Sequence, residues 1–441
     1  MAEAQGAVTY RRVARIALPI VLSNATVPIL GAVDTGVVGQ LGEAALIGAV
    51  GVGALILTAL YWVFGFLRMG TSGLAAQAHG AGQRGEVAAL LTRGLMIGFA
   101  AGLVLVALQA PLFGAAFRLS PASAEVETLA RDYMQIRVFS APAMIALFAM
   151  TGWLIALERT GAVLAIQVLM NLLNIVLDLV FVLALGWGVE GVAWATFIAE
   201  WSGLAFGFWF CRDAFGVPAW RDWPRVFDPA RLRRMASVNG DILLRSLMIE
   251  TIMVSFMFWG SDFGDVTLAA NQVLLHFLHI TSNALDGFAF AAEALVGQAV
   301  GARAPMGVRR AAIVSSRFGL GCVVLLALGF AVLGGPIVDL MAKVPEVQAA
   351  ARDYLPWMVA APLVGVAAWM LDGVFVGATR TRDMRNMMAV SLVVYGLAAV
   401  ALVPVFGNHG LWIALLASFV ARGVTLGLRY PALEASARAG A

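Results

Sequence analysis

The chain has 441 residues, of which 61% are hydrophobic and 12% charged, about half the charged share of a soluble domain, roughly 25%. A mean hydropathy of +0.89 excludes a fold whose main solvent is water, and apolar stretches follow one another from Ile16 to Arg429 without room for a soluble domain. The net charge of +3 and pI of 9.1 do not point to nucleic acid, because the arginines sit mostly in short breaks between apolar runs.

A spanning helix needs about 20 mostly apolar residues, and the pattern predicts twelve: 16–39, 45–78, 87–117, 133–157, 162–185, 189–211, 240–260, 266–299, 311–335, 353–377, 386–406 and 410–429. The first follows Arg11, Arg12 and Arg15 and imitates a signal peptide. It continues through Pro28 and Asp34 to Gly39, however, and reads as a span. Pro28 removes a backbone hydrogen bond and is a candidate hinge just before Asp34. At 1.5 Å per residue, Asp34 lies roughly 27 Å along this span, in the outer half of the bilayer.

The fifth span carries Asn171, Asn174 and Asp178 at i, i+3 and i+7, on one helix face. Asp178 lies roughly 24 Å along, a depth similar to that of Asp34. A charge at the bilayer centre costs about 2.5–3.5 kcal/mol on insertion scales, so acids there are functional candidates. Shared depth would let Asp34, Asn174 and Asp178 form one hydrogen-bonded cluster able to take and release a proton, with Asn171 on the same face.

Residues 212–239 are the longest polar stretch, with Pro218, Pro224, Pro229 and Arg231-Leu232-Arg233-Arg234, and read as a cytoplasmic linker. It would divide an N-terminal six-helix lobe, 1–211, from a C-terminal six-helix lobe, 240–441. In the seventh span, Asp241 and Arg245 stand at i, i+4 and are expected to pair.

The eighth span carries a polar stripe, Gln272, His276, His279, Asn283, Asp286 and Glu293, within an arc of about 100°. Glu250 in the seventh span and Asp372 in the tenth would add acids to a lining suited to a cation. Two histidines without a defined carboxylate partner do not make a metal site, and Cys211 and Cys322 are too few and too far apart for a disulfide framework. Glu200, Arg68 and Arg422 have no assigned partner.

With a cytoplasmic N-terminus, the inner segments hold most arginines and the outer ones only Arg118, Arg131, Arg137, Lys343 and Arg352. The positive-inside rule then places both termini in the cytoplasm. The halves also repeat. Gln77 and Gln298, Arg131-Asp132-Tyr133 and Arg352-Asp353-Tyr354, and Arg159-Thr160 and Arg380-Thr381 are each 221 positions apart. A fourth match, Gly188 with Gly407, is 219 apart. Parallel repeats with six spans each place a substrate site between them, and the 47 glycines fit close helix packing in lipid. At the offset of 221, Asp34 becomes Ser255 and Asp178 becomes Ala399, so the halves share architecture but not acids.

The only lysine, Lys343, is not in a phosphate-binding Gly-Lys-Ser/Thr sequence, which excludes nucleotide-driven transport on this chain. No nucleophile elbow, short-spaced zinc motif or dinucleotide fingerprint occurs in a credible context, so an enzyme is not expected.

Leu18-Pro19-Ile20 with Val33-Asp34-Thr35, the Asn171 to Asp178 face, Leu285-Asp286-Gly287-Phe288-Ala289 with Glu293, Leu371 to Arg380, and Met384-Arg385-Asn386 run in order from the first span to the eleventh. In that order they resemble the multidrug and toxic compound extrusion (MATE) family, in its DNA-damage-inducible branch. The resemblance implies an all-α polytopic membrane protein with twelve transmembrane helices in two pseudo-symmetric six-helix bundles. It implies export of organic, often cationic or amphipathic compounds in exchange for protons or sodium ions, with Asp34, Asn174 and Asp178 in cation coupling. Glu250 and Asp372 resemble acids of other branches in position, although the sequence around Glu250 departs from their pattern. Proton coupling fits this branch better than sodium.

The expected protein is therefore a multi-pass transporter of the cell's inner membrane, a monomer with no resident metal or cofactor beyond its coupling ion. Its partners would be small organic substrates and the lipid bilayer. A flippase for a lipid-linked precursor would favour cationic groups in the cavity, where the candidates here are chiefly acids. A channel or receptor is disfavoured by the duplicated halves.

Overall fold

The structure, a computed structural model, describes residues 8–40, 42–119 and 123–439. Among the described residues every regular element is helical and no strand occurs. Lipid imposes this on an apolar chain, because a helix satisfies its backbone N–H and C=O groups internally. Twelve long helices follow in order among the described residues. They are α1 (Tyr10–Gly39), α2 (Ala44–Gly80), α3 (Arg84–Ala107), α4 (Ala124–Ala156), α5 (Thr160–Ala184) and α6 (Gly188–Phe210) in the first half. In the second half come α7 (Pro229–Ser261), α8 (Asp265–Gly301), α9 (Pro305–Met341), α10 (Pro345–Gly377), α11 (Thr381–Phe406) and α12 (Asn408–Ala439).

Nine of these, among the described residues, are long and apolar enough to cross a membrane. The other three are α1, α6 and α8. Glu200 in α6 and the amide and imidazole side chains of α8 dilute otherwise apolar runs. Leu55, Leu325, Val332 and Leu428 are each more than 70% exposed, a distribution that only a lipid solvent tolerates.

Eleven of the twelve expected spans each fall on a single helix, overrunning it by no more than a residue, while several of the helices extend well beyond the spans. The third does not: it breaks at Leu108 into α3 and a short helix, Gln109–Leu119. Pro111 explains the break, since it has no N–H to donate and its ring crowds the carbonyl four residues back, that of Ala107. Several helices begin earlier than hydropathy predicts, because Pro305 and Pro345 start α9 and α10 with a backbone angle already set for a first helical turn.

The chain forms two compact units. One comprises residues 1–21, 76–82 and 233–441, thus α8 to α12 and nearly all of α7 together with the start of α1 and the end of α2. Its core is aromatic: Phe256 packs on Trp412 and Phe277 on Phe330, with ring centroids 4.8 and 4.9 Å apart. The other comprises residues 22–75 and 83–232. There Gly98 and Gly102 of α3 bring it so close to α4 that a Cβ would overlap the backbone of Ala146 and Pro142.

The polar stretch 212–239 is not a free connection. Its first part folds into short helices over Arg212–Phe215, Pro218–Arg221 and Trp223–Val226. Thr92 Oγ1 donates to the Trp220 carbonyl at 2.9 Å, and the buried Arg93 donates to the carbonyls of Val226 and Arg225, both at 2.8 Å. The division between units falls after Leu232, inside α7.

The repeat is also written in the backbone. Left-handed turns occur at Gly82 and Arg303 (φ 71° and 54°), Glu158 and Thr379 (59° and 50°), and Gly186 and Gly407 (69° and 55°), each pair 221 positions apart. Glu158 and Thr379 close identical helix ends. Arg159 N donates to Leu154 O at 2.8 Å and Arg380 N to Phe375 O at 3.0 Å, which satisfies carbonyls the ending helix leaves over. A non-glycine residue in this conformation costs about 1–2 kcal/mol, so matched strain in both halves marks a shared architecture.

Close approaches repeat at the same offset. A Cβ at Gly152 would overlap the Arg68 carbonyl, and one at Gly373 the Ala289 carbonyl. Gly80 meets the Gln298 carbonyl while Gly301 meets that of Gln77, so the ends of α2 and α8 cross through their glycines. Gly80→Ala and Gly301→Ala are each expected to lower stability by about 1–3 kcal/mol through overpacking against rigid backbone. Thermal unfolding in detergent checks this, with Gly51→Ala, which meets nothing within 4 Å, as the unaffected control.

Candidate ion-coupling site

On α5, the spacing of Asn171, Asn174 and Asp178 places all three on a buried face, at 6%, 1% and 0% exposure. Asp178 ends the α-helical part of α5. The next turn, Leu179–Ala184, is a wider π-helical one in which Leu185 N donates to Val180 O at 2.9 Å, an irregularity frequent at functional sites.

The structure brings Asp34 of α1 to this face. With its amide oriented by its neighbours, Asn174 donates to Asp34 Oδ1 at 3.0 Å and to Asp178 Oδ2 at 3.2 Å. Its oxygen accepts from Thr196 N at 3.2 Å and Thr196 Oγ1 at 3.0 Å on α6. The same amide nitrogen thus serves both carboxyls, which share one donor. Ionised carboxylates only accept, so neither carboxyl can donate to the other without a proton. Asp178 Oδ1 is buried without a partner. One turn away, Asn171 donates to Thr26 Oγ1 at 2.9 Å and accepts from Gln167 Nε2 at 2.8 Å, which ties α5 to α1 a second time.

Behind this cluster lies a buried ion pair absent from the sequence reading. Arg137, expected in an outer polar segment, instead lies within α4 at 8% exposure. Its Nη2 donates to Glu200 Oε1 at 2.7 Å and its Nη1 to Tyr133 Oη at 2.7 Å. Tyr61 Oη in turn donates to the Arg137 carbonyl at 2.9 Å. Glu200 stands one turn of α6 beyond Thr196, the partner of Asn174, so the ion pair adjoins the cluster along that helix. The signal was present: Glu200 stands in an apolar run, and a buried acid needs a cation.

In the other unit the expected pair of Asp241 with Arg245 does not form. Asp241 instead accepts from Arg385 Nη1 at 2.6 Å and Thr381 Oγ1 at 3.1 Å, and Arg245 pairs with Asp372. Asp372, 5% exposed, also lies 3.7 Å from Arg422 Nη1, so this acid is neutralised by two arginines. Pairs across helices replace the i, i+4 pair because the partners face each other in the bundle and not along α7.

The α8 stripe divides. His276, His279 and Asn283 are exposed, Asp286 and Glu250 half-buried, and Glu293 fully buried. The two imidazole rings are 6.3 Å apart between centroids, and among the described residues no group of three or more His, Cys, Asp or Glu is placed to hold a metal.

Comparison with known proteins gives these features a context. The MatE family profile matches twice, over residues 19–180 and 242–402, so the family unit is duplicated along the chain as the repeat is. DNA damage-inducible protein F of Escherichia coli (strain K12) is 38% identical, over 93% of this chain and 90% of its own. The probable multidrug resistance protein NorM of Pseudomonas aeruginosa is 26% identical, over 96% and 89%. Among solved structures, the Vibrio cholerae MATE transporter VcmN in its bent form matches with a TM-score of 0.85 at 20% identity over 98% of each chain, which shows the fold. This chain is an integral, multi-pass membrane protein of the MatE family of multidrug and toxic compound extrusion transporters, in the branch of DNA damage-inducible protein F.

Proposed function

We propose that the protein is a secondary antiporter that exports organic, cationic or amphipathic compounds in exchange for protons, with Asp34, Asn174 and Asp178 as the proton-carrying group. The observation that carries this reading is that one amide, Asn174, bridges two carboxyls, the half-buried Asp34 and the fully buried Asp178. Two negative charges so close and so far from water repel strongly, and a proton shared between them relieves that repulsion. Losing the proton therefore changes the local energy enough to favour a different packing of α1 against α5.

Pro28 stands six residues before Asp34 and interrupts the hydrogen-bond ladder of α1. Residues of α1 up to Val21 pack with one compact unit and those from Leu22 with the other, so a bend at Pro28 is a mechanical consequence open to a change at Asp34. Protonation biases the two states only by as much as proton affinity differs between them.

His276, His279, Asn283, Asp286 and Glu250 are the half-buried or exposed polar groups offered to a substrate in the second unit. The buried Glu293 and the arginine-bound Asp372 hold structure. The arginine distribution supports an inner-membrane protein with both termini cytoplasmic, acting as a monomer with small organic solutes and lipid as partners and protons as the coupling ion.

Proteoliposomes loaded with a fluorescent lipophilic cation provide the test. An imposed proton gradient is expected to drive transport and an imposed sodium gradient of equal size to drive none. Transport under the sodium gradient alone would replace protons by sodium in this reading.

A further inference from the structure

We infer that Arg137, held beside the Asp34–Asn174–Asp178 cluster by Glu200, is a resident counter-ion that makes this site select protons over sodium. The inference rests on the reading of that cluster as the coupling site. It begins from the charged and titratable groups that surround the cluster: Asp34 on α1, Tyr61 on α2, Tyr133 and Arg137 on α4, Asp178 on α5 and Glu200 on α6. One permanent cation stands among three carboxyls.

The bonding of that cation is incomplete. Arg137 gives Nη2 to Glu200 and Nη1 to Tyr133, but its Nε is buried without an acceptor. Asp178 Oδ1 is buried without a donor. A planar guanidinium offers five N–H donors in a fixed fork, so it can serve Glu200 and a second carboxylate together. When the shared proton leaves, the charge that appears on Asp34 and Asp178 meets a guanidinium held one turn of α6 away through Glu200.

A hard cation such as sodium would seek the same oxygens, the two carboxyls, the Asn174 amide and the Thr196 hydroxyl. It would have to do so against a fixed positive charge. At an effective dielectric constant near 20, a lone unit charge about 6–12 Å away changes the binding constant of a second cation by roughly ten- to a hundredfold, an upper bound that the paired Glu200 carboxylate lowers. A proton does not meet this obstacle in the same way, because it forms a covalent O–H bond and occupies no coordination shell.

Sodium binding, measured by calorimetry on the purified full-length protein with choline chloride as the ionic-strength control, tests the inference. Arg137→Met combined with Glu200→Gln removes both charges and leaves no buried ion unpaired; it is expected to bind sodium at least tenfold more tightly than the parent. Glu200→Gln alone and Arg137→Lys keep the cation and are expected to remain as insensitive to sodium as the parent. Should that double variant fail to fold, Arg137→Gln combined with Glu200→Gln, which keeps polar side chains at both positions and leaves no buried ion, reads the same effect. The inference is overturned if the folded charge-removing variant gains no sodium affinity, or if Arg137→Lys gains as much. A parent driven by sodium would overturn the proton reading as well, whereas a proton-driven parent with a sodium-blind double variant would overturn this inference alone.

Discussion

Asp178→Asn is expected to reduce proton-driven export to the level of protein-free vesicles while leaving the fold intact. Asparagine keeps the size of the side chain and an oxygen that accepts from Asn174, whose amide stands 3.2 Å from Asp178 Oδ2. What it loses is the proton that a carboxyl gains and gives up. Because residue 178 is fully buried, no water-exposed neighbour takes over that duty. Asp34→Asn is expected to behave alike, since each carboxyl needs the other's charge to make the shared proton matter. Uptake under an imposed proton gradient, with the unfolding temperature as the control for folding, checks both; substantial gradient-driven transport by either would remove that carboxyl from the coupling group.

Arg137→Met alone is expected to be the most destabilising substitution in the unit that contains it. It removes one partner of a buried pair and leaves the Glu200 charge without compensation, a change that costs about 3–5 kcal/mol. Replacing both partners by neutral side chains is often neutral or better, so adding Glu200→Gln is expected to restore most of the loss. Denaturation midpoints of the two single variants and the double variant, arranged as a cycle, check this. Equal stability of Arg137→Met and the double variant would mean that Glu200 is not ionised when alone.

The parts of the fold that the sequence makes legible depend on local signals. Hydropathy over a window of spanning length finds the helices, and helical periodicity puts Asn171, Asn174 and Asp178 on one face before any neighbour is known. The repeat is equally legible, because the offset between Gln77 and Gln298 is also the offset between the strained turns at Glu158 and Thr379. Counting depth along two helices that rise together brings Asp34 and Asp178 to one level, and the structure adds that they share a side.

Partner choice between helices distant in the chain is not local, and there the reading stops. Asp241 and Arg245 satisfy the i, i+4 rule on paper, yet Arg385 and Asp372 are better placed, because bundle packing turns the two residues toward different neighbours. Arg137 reads as one more arginine of a polar outer segment, since α4 begins with a charged stretch from Glu125 to Arg131. Only the fold shows that one turn later the helix is already buried. The same limit hides that Asp372 is bound between two arginines and is no free acid.

Exchange requires the carboxyl pair to give up a proton when a substrate binds. Infrared difference spectra of the protein in lipid, recorded with and without a lipophilic cation, follow that proton at its source. The carboxylic C=O band is expected to weaken and a carboxylate band to grow on binding, with the release of a proton to a pH indicator, and both signals are expected to vanish in Asp34→Asn and in Asp178→Asn. An unchanged carboxylic band in the native protein, or the same band change in both variants, would contradict it.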